Sequence, residues 1–177
     1  MPSSMNPIGG TLDLSEHSDA AALGLGPSTI AEPVLKLDSG QIAQLRFLAE
    51  ITYPFEACGV LIGESSERAV SVCQVLQTTN LSDYGTRDRY VMDPEDFLVA
   101  DRMARLHGRE IVGIWHSHPN HPVEPSKIDL AGAWAGYSYV IVAVDALGDT
   151  VVGSWRLRGD GLVRQRLQIG AAVSEGC

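Results

Sequence analysis

The chain has 177 residues, 45% hydrophobic and 20% charged, with a net charge of −9 and a pI near 4.9. That length supports one domain with a sizeable core but not comfortably two, and the composition is ordinarily globular. The acidity and the lack of a lysine- or arginine-rich run exclude nucleic acid and anionic membranes as expected partners. No apolar run approaches the roughly 18 residues of a membrane span.

The three cysteines, Cys58, Cys73 and Cys177, form no C-x-x-C pair. An odd count without that pattern does not suggest a disulfide framework and fits a reducing cytoplasm. No basic segment leads into an apolar stretch at the N-terminus, so a secretory signal is not expected.

Residues 1–32 are rich in Ser, Gly, Pro and Ala and read as a flexible tail that includes His17. The folded domain is expected over 33–172, starting near Val34, with 173–177 as a short C-terminal tail. Asp38-Ser39 caps a predicted helix in which Ile42, Leu45, Leu48 and Ala49 share a face, and Pro54 ends it. Ala57 to Gly63 and Ala69 to Thr78 read as strands. A polar connection over Asn80 to Arg87 leads to a short strand at Tyr90-Val91-Met92. Asp93-Pro94-Glu95 then opens a second helix, which Gly108 stops.

Ile111 to Trp115 is a strand that delivers His116 and His118 at its end. Side chains two apart on a strand face one way, so both imidazoles address one point while Ser117 faces away. The three prolines between Pro119 and Pro125 require a loop. Ser126 caps a third helix whose first turn carries Asp129, which returns a carboxylate toward the histidines. Tyr139 to Val144, Val151 to Leu157 and Leu162 to Ile169 form a closing meander, the last two joined by a Gly159-Asp160-Gly161 turn. The fold class is α+β, arranged as an αβα sandwich.

Two imidazoles and one carboxylate make a three-ligand zinc site with a fourth position open for water, the pattern of a hydrolase. A second carboxylate, Glu56, lies upstream in Tyr53-Pro54-Phe55-Glu56-Ala57-Cys58-Gly59-Val60.

The arrangement His116-Ser117-His118, seven residues, Ser126, two residues, Asp129, preceded by P-x-E-x-C-G, resembles the JAMM (MPN+) metalloprotease family. Asn80, Arg89 with Tyr90, and Asp93-Pro94 resemble its bacterial branch, including the peptidases that release cysteine from a sulfur carrier. The resemblance spans roughly Val34 to Ile169. It implies a cytidine-deaminase-like αβα sandwich with a curved, mostly antiparallel sheet. It further implies cleavage after the C-terminal Gly-Gly of a ubiquitin-like sulfur-carrier protein, removing a C-terminal residue or extension. In that scheme His116, His118 and Asp129 bind Zn²⁺, which lowers the pKa of its water toward about 7. Glu56 is the general acid/base and Ser126 the oxyanion donor. Short connections near Asn80 to Arg87 and Gly136 to Tyr139 favour a small carrier over ubiquitin chains. The resemblance also allows a homodimer.

Blander readings stand beside these. An H-x-H pair can be exposed and polar, Ser126 only a cap, and Asp129 only a first-turn charge. Glu64 and Glu67 compete with Glu56 but follow the strand. His121 and Glu124 lie in the proline-rich loop and are expected to be solvated, with substrate contact as their functional alternative. Cys58 reads as a small buried hydrophobe and, as an alternative, a redox-sensitive thiol near the metal. Trp115 and Trp134 are expected in the core. Neither H-E-x-x-H nor a deaminase or nucleotide-binding motif is present. The different-class alternative is a metal-free scaffold of the same fold; the other hydrolase alternatives are a deubiquitinase-like isopeptidase acting on protein conjugates and a hydrolase of small peptides.

Overall fold

The structure, a computed structural model, describes residues 33–82 and 89–172. The expected tails at 1–32 and 173–177 lie outside the described residues. Within them three helices flank one eight-stranded sheet of order β7-β6-β5-β4-β2-β3-β1-β8. The strands are β1 (Val34–Asp38), β2 (Cys58–Ser65), β3 (Ala69–Thr78), β4 (Glu110–Pro119), β5 (Ser138–Val144), β6 (Thr150–Arg158), β7 (Gly161–Arg164) and β8 (Leu167–Gly170). The helices are α1 (Ser39–Thr52), α2 (Pro94–Leu106) and α3 (Lys127–Ala131). Four of the seven pairings are antiparallel, so the α+β sandwich is built on a mixed sheet that is antiparallel only by a narrow majority.

The helix starts follow their capping chemistry. Asp38 accepts the Gln41 N–H while the Gln41 side chain accepts the Asp38 N–H, a reciprocal capping box. Asp93 caps α2, Pro94 stands where no N–H is needed, and Glu95 and Asp96 add charge to the first turn. Beyond α2, Gly108 takes φ 69°, the left-handed conformation that glycine adopts without strain.

Two faces of the sheet carry different cores. Leu45 and Ala49 of α1 pack with Leu35, Leu61, Trp115 and Val142 on one face. On the other, Ala100 and Ala104 of α2 pack with Val60, Ile62 and Ile111. Helix α1 touches strands from β5 to β8, nearly the whole width of the order, which requires the sheet to curl around it.

That curl explains the largest departure from the sequence reading. The segment expected as one strand over Leu162 to Ile169 is two: β7 pairs with β6 at one edge, and β8 pairs in parallel with β1 at the other. Gln165 makes the crossing. Its side chain accepts from Ser154 Oγ and donates to the Pro33 carbonyl, linking both edges. Strand β1, not foreseen as a strand, forms because β3 and β8 pair with its two sides. Tyr90 to Met92 is not a strand; Met92 makes only an isolated bridge to Asn80. Trp134 is 66% exposed rather than in the core, because α3 ends at Ala131 and leaves it beyond the helix. Trp115 is fully buried, as expected. Cys73 is disulfide-bonded, against the expectation drawn from the odd count, while Cys58 is a free, buried thiol.

Gly59 is fixed by packing. It faces Trp115 across the β2–β4 pair, and the indole passes over it to donate to the Leu76 carbonyl at 2.9 Å. A Cβ at Gly59 would meet Leu76 O at 1.9 Å and Trp115 Nε1 at 2.5 Å. Gly59→Ala is therefore expected to destabilise the domain by about 3 kcal/mol or more, checked by urea unfolding.

Candidate metal centre

Strand β4 runs through the motif rather than stopping before it, and its alternation sets the site. Trp115 and Ser117 face α1, whereas His116 and His118 face the opposite side of the sheet. Strand β5 lies parallel to β4, so the chain must cross over between them through α3. The histidines thus stand at the carboxyl end of β4, where that crossover departs. Asn120 ends the strand in the left-handed region, φ 58°, and its amide donates to the Tyr53 hydroxyl at 2.9 Å.

Helix α3 brings the third group. Ser126 Oγ accepts the Asp129 N–H at 3.1 Å, and Asp129 Oδ2 accepts the Ser126 N–H at 2.6 Å. This reciprocal cap fixes the Asp129 rotamer so that its carboxylate reaches both imidazoles. His116 Nε2 lies 3.1 Å from Asp129 Oδ1, His118 Nε2 3.5 Å from Asp129 Oδ2, and the two Nε2 atoms are 3.0 Å apart.

Those separations suit a metal. Ligands about 2.0–2.1 Å from one tetrahedral ion stand about 3.3 Å from each other. The ring of His118 is oriented for it as well. Its Nδ1 lies 2.7 Å from the Pro122 carbonyl, which can only accept, so Nδ1 carries the proton and neutral His118 turns its Nε2 lone pair inward. His116 Nδ1 is buried without a hydrogen-bond partner among the described residues; its ring is instead stacked on Tyr90, with centroids 4.7 Å apart.

The electrostatics match that donor set. Burial drives His116 toward the neutral imidazole, against the pull of Asp129. Burial also opposes ionisation of Asp129, but hydrogen bonds to His116 and His118 outweigh it and hold the carboxyl well below its usual range. For His118, burial is outweighed by the Asp129 and Pro122 contacts, and its pKa rises. Burial, with Asp129 nearby, keeps Tyr90 a neutral phenol.

A cavity of about 300 Å³ opens over the cluster, lined in part by Glu56, Tyr90, His118, Ser126 and Asp129. Glu56 is 5% exposed and stands just before β2. It also lines a neighbouring cavity of about 460 Å³ that includes Phe55, Asn80 and Asp96. Arg89, His121 and Glu124 are exposed residues of the first cavity's wall, so the two loop residues are solvated yet face the site. Glu64 and Glu67 are exposed at the far end of β2 and take no part. Cys58 pairs with His116 across the strands, but burial pushes its thiol up to about 11, the behaviour of a packing residue. Sequence reasoning gave no role to Tyr90, Asn80 or Ser117; only the Asn80 and Arg89-Tyr90 resemblance signalled that segment.

Comparison with known proteins agrees with this geometry. Residues 39–158 match the family described as prokaryotic homologs of the JAB domain. A protein named desampylase, from Haloferax volcanii, is 34% identical over 93 residues, which are 52% of this chain. The chain spans only 65% of that curated relative's length. A protein from Desulfitobacterium hafniense, solved in solution, is 26% identical with a TM-score of 0.70 over 80% of this chain and 96% of its own. Another, from Salinibacter ruber, is 29% identical with a TM-score of 0.59 over 81% and 95%. The matched segment runs from the first residue of α1 to the last of β6 and holds Glu56, His116, His118, Ser126 and Asp129, so the chain belongs to the JAMM/MPN family, among the prokaryotic homologs of the JAB domain.

Proposed function

We propose that this chain is a zinc-dependent peptidase and isopeptidase. It hydrolyses the bond after the C-terminal Gly-Gly of a ubiquitin-like sulfur-carrier protein, with the catalytic domain over 33–172. The observation that carries this reading is the convergence of His116, His118 and Asp129 within 4.8 Å, beneath a cavity that buried Glu56 also lines. The relative named desampylase supports a conjugated protein as substrate alongside a carrier with an α-linked extension.

His116 Nε2, His118 Nε2 and the Asp129 carboxylate would hold the metal. When bound, zinc supplies a nucleophilic water at neutral pH and polarises the scissile carbonyl. The Glu56 carboxylate takes the proton released by the nucleophile and returns it to the leaving amine. Ser126 Oγ already accepts the Asp129 N–H, which leaves its own O–H to donate to the oxyanion. Glycine on the acyl side suits close walls, because no side chain has to pass them.

The test compares a folded carrier bearing a short extension after Gly-Gly with a free peptide of the same terminal sequence. The reading expects kcat/KM for the folded carrier to exceed that for the peptide by about 100-fold, since only the carrier contributes remote binding energy. Equal values would mean a hydrolase of small peptides instead.

A further inference from the structure

The peptide unit that joins Glu56 to Ala57 is held at both ends by side chains from distant parts of the chain. Its carbonyl, on Glu56, accepts from Asn80 Nδ2 at 2.9 Å. Its N–H, on Ala57, donates to Ser117 Oγ at 2.8 Å. In an ordinary antiparallel pair the Ala57 N–H would donate to the Ser117 carbonyl. Here only the reverse bond, Ser117 N–H to Ala57 carbonyl at 2.9 Å, follows that pattern. The hydroxyl replaces the other, and Ser117 is fully buried.

A peptide unit is a rigid plane, so pinning both ends fixes the backbone rotation on either side of it. That rotation sets the direction in which the Glu56 side chain leaves the backbone. Asn80 is itself fixed, because its Oδ1 accepts from the N–H groups of Ser82 and Val91 at 3.0 and 2.9 Å. Val91 follows Tyr90, whose ring stacks on His116, and Ser117 sits between His116 and His118. Both clamps are therefore anchored in the segments that position the metal-site imidazoles.

We propose that Asn80 and Ser117 are positioning residues that aim the Glu56 carboxylate at the metal site. The inference rests on Glu56 acting as the proton-transfer group, as set out above. Neither residue touches the metal-site atoms, and each acts through the Glu56–Ala57 peptide.

The test uses Asn80→Asp, which keeps the oxygen facing Ser82 and Val91 but loses the donor to Glu56, and Ser117→Ala, which removes the hydroxyl. Each is made in the zinc-loaded full chain, alone and with Glu56→Gln. Each single variant is expected to lower kcat by about 10- to 100-fold, with KM and zinc content unchanged. In the Glu56→Gln background neither should lower the residual rate further, because groups that act as a unit are not additive. An undiminished kcat in both variants overturns the inference, as does the same fold-loss in the Glu56→Gln background. If Ser117→Ala does not fold, Asn80→Asp decides alone. Full activity of Glu56→Gln itself overturns the reading of Glu56, and the clamp with it; loss in Glu56→Gln beside full activity of both clamp variants overturns the clamp alone.

Discussion

His116→Ala is expected to lose zinc and turnover together. The three converging groups come from two elements, β4 and α3, and each contact among them is 3.5 Å or shorter. Removing His116 leaves one imidazole and one carboxylate, too few for the ligand set that holds catalytic zinc. Lewis-acid stabilisation is worth several kcal/mol and each tenfold in rate about 1.4 kcal/mol, so the rate should fall about 10³-fold or more. Elemental analysis of the purified variant gives the metal content, and circular dichroism separates metal loss from unfolding, because His116 is also fully buried. Near-stoichiometric zinc in a folded His116→Ala protein would place the metal elsewhere. Lowering the pH should weaken zinc binding in the wild type in the same sense, since both ring nitrogens must be free of protons to coordinate.

Glu56→Gln is expected to separate chemistry from metal binding. Glutamine matches glutamate in shape, so the buried site before β2 keeps its packing, and the three metal-binding groups are untouched. Zinc content and KM should stay at the wild-type level while kcat falls about 10²- to 10⁴-fold, the usual contribution of a positioned acid/base. Steady-state kinetics on the zinc-loaded variant checks it. A wild-type kcat would remove Glu56 from the mechanism and shift proton transfer to another group on the cavity wall.

The parts of this site that were legible in the sequence are the local ones. His116 and His118 share a face because strand geometry repeats every two residues. Asp129 returns to them because Ser126 starts a helix three residues earlier, and the reciprocal cap at 2.6 and 3.1 Å shows how short that logic is. Glu56 was legible only through the family pattern, since its approach to the histidines depends on β2 pairing with β4. The unread parts are non-local. Asn80 reaches Glu56 across 24 residues and Ser117 reaches Ala57 across 60, and neither spacing leaves a period in the sequence. The same holds for the fold. The capped helices and the antiparallel hairpins were foreseen from caps, turns and alternation. The split between β7 and β8 was not, because it follows from the curl that brings opposite sheet edges to Gln165. Trp134 was misplaced for a local reason: apolar spacing suggested a longer helix than the single turn that forms.

The central claim, zinc-dependent cleavage after a carrier's diglycine, is tested most directly by intact-mass spectrometry. A ubiquitin-fold carrier ending in Gly-Gly plus a short C-terminal extension is incubated with zinc-loaded wild type, with zinc-loaded Glu56→Gln, and with wild type in EDTA. The expected result is a mass loss equal to the extension, leaving free Gly-Gly, with wild type alone. An intact carrier in all three, with zinc shown to be bound, would contradict the claim.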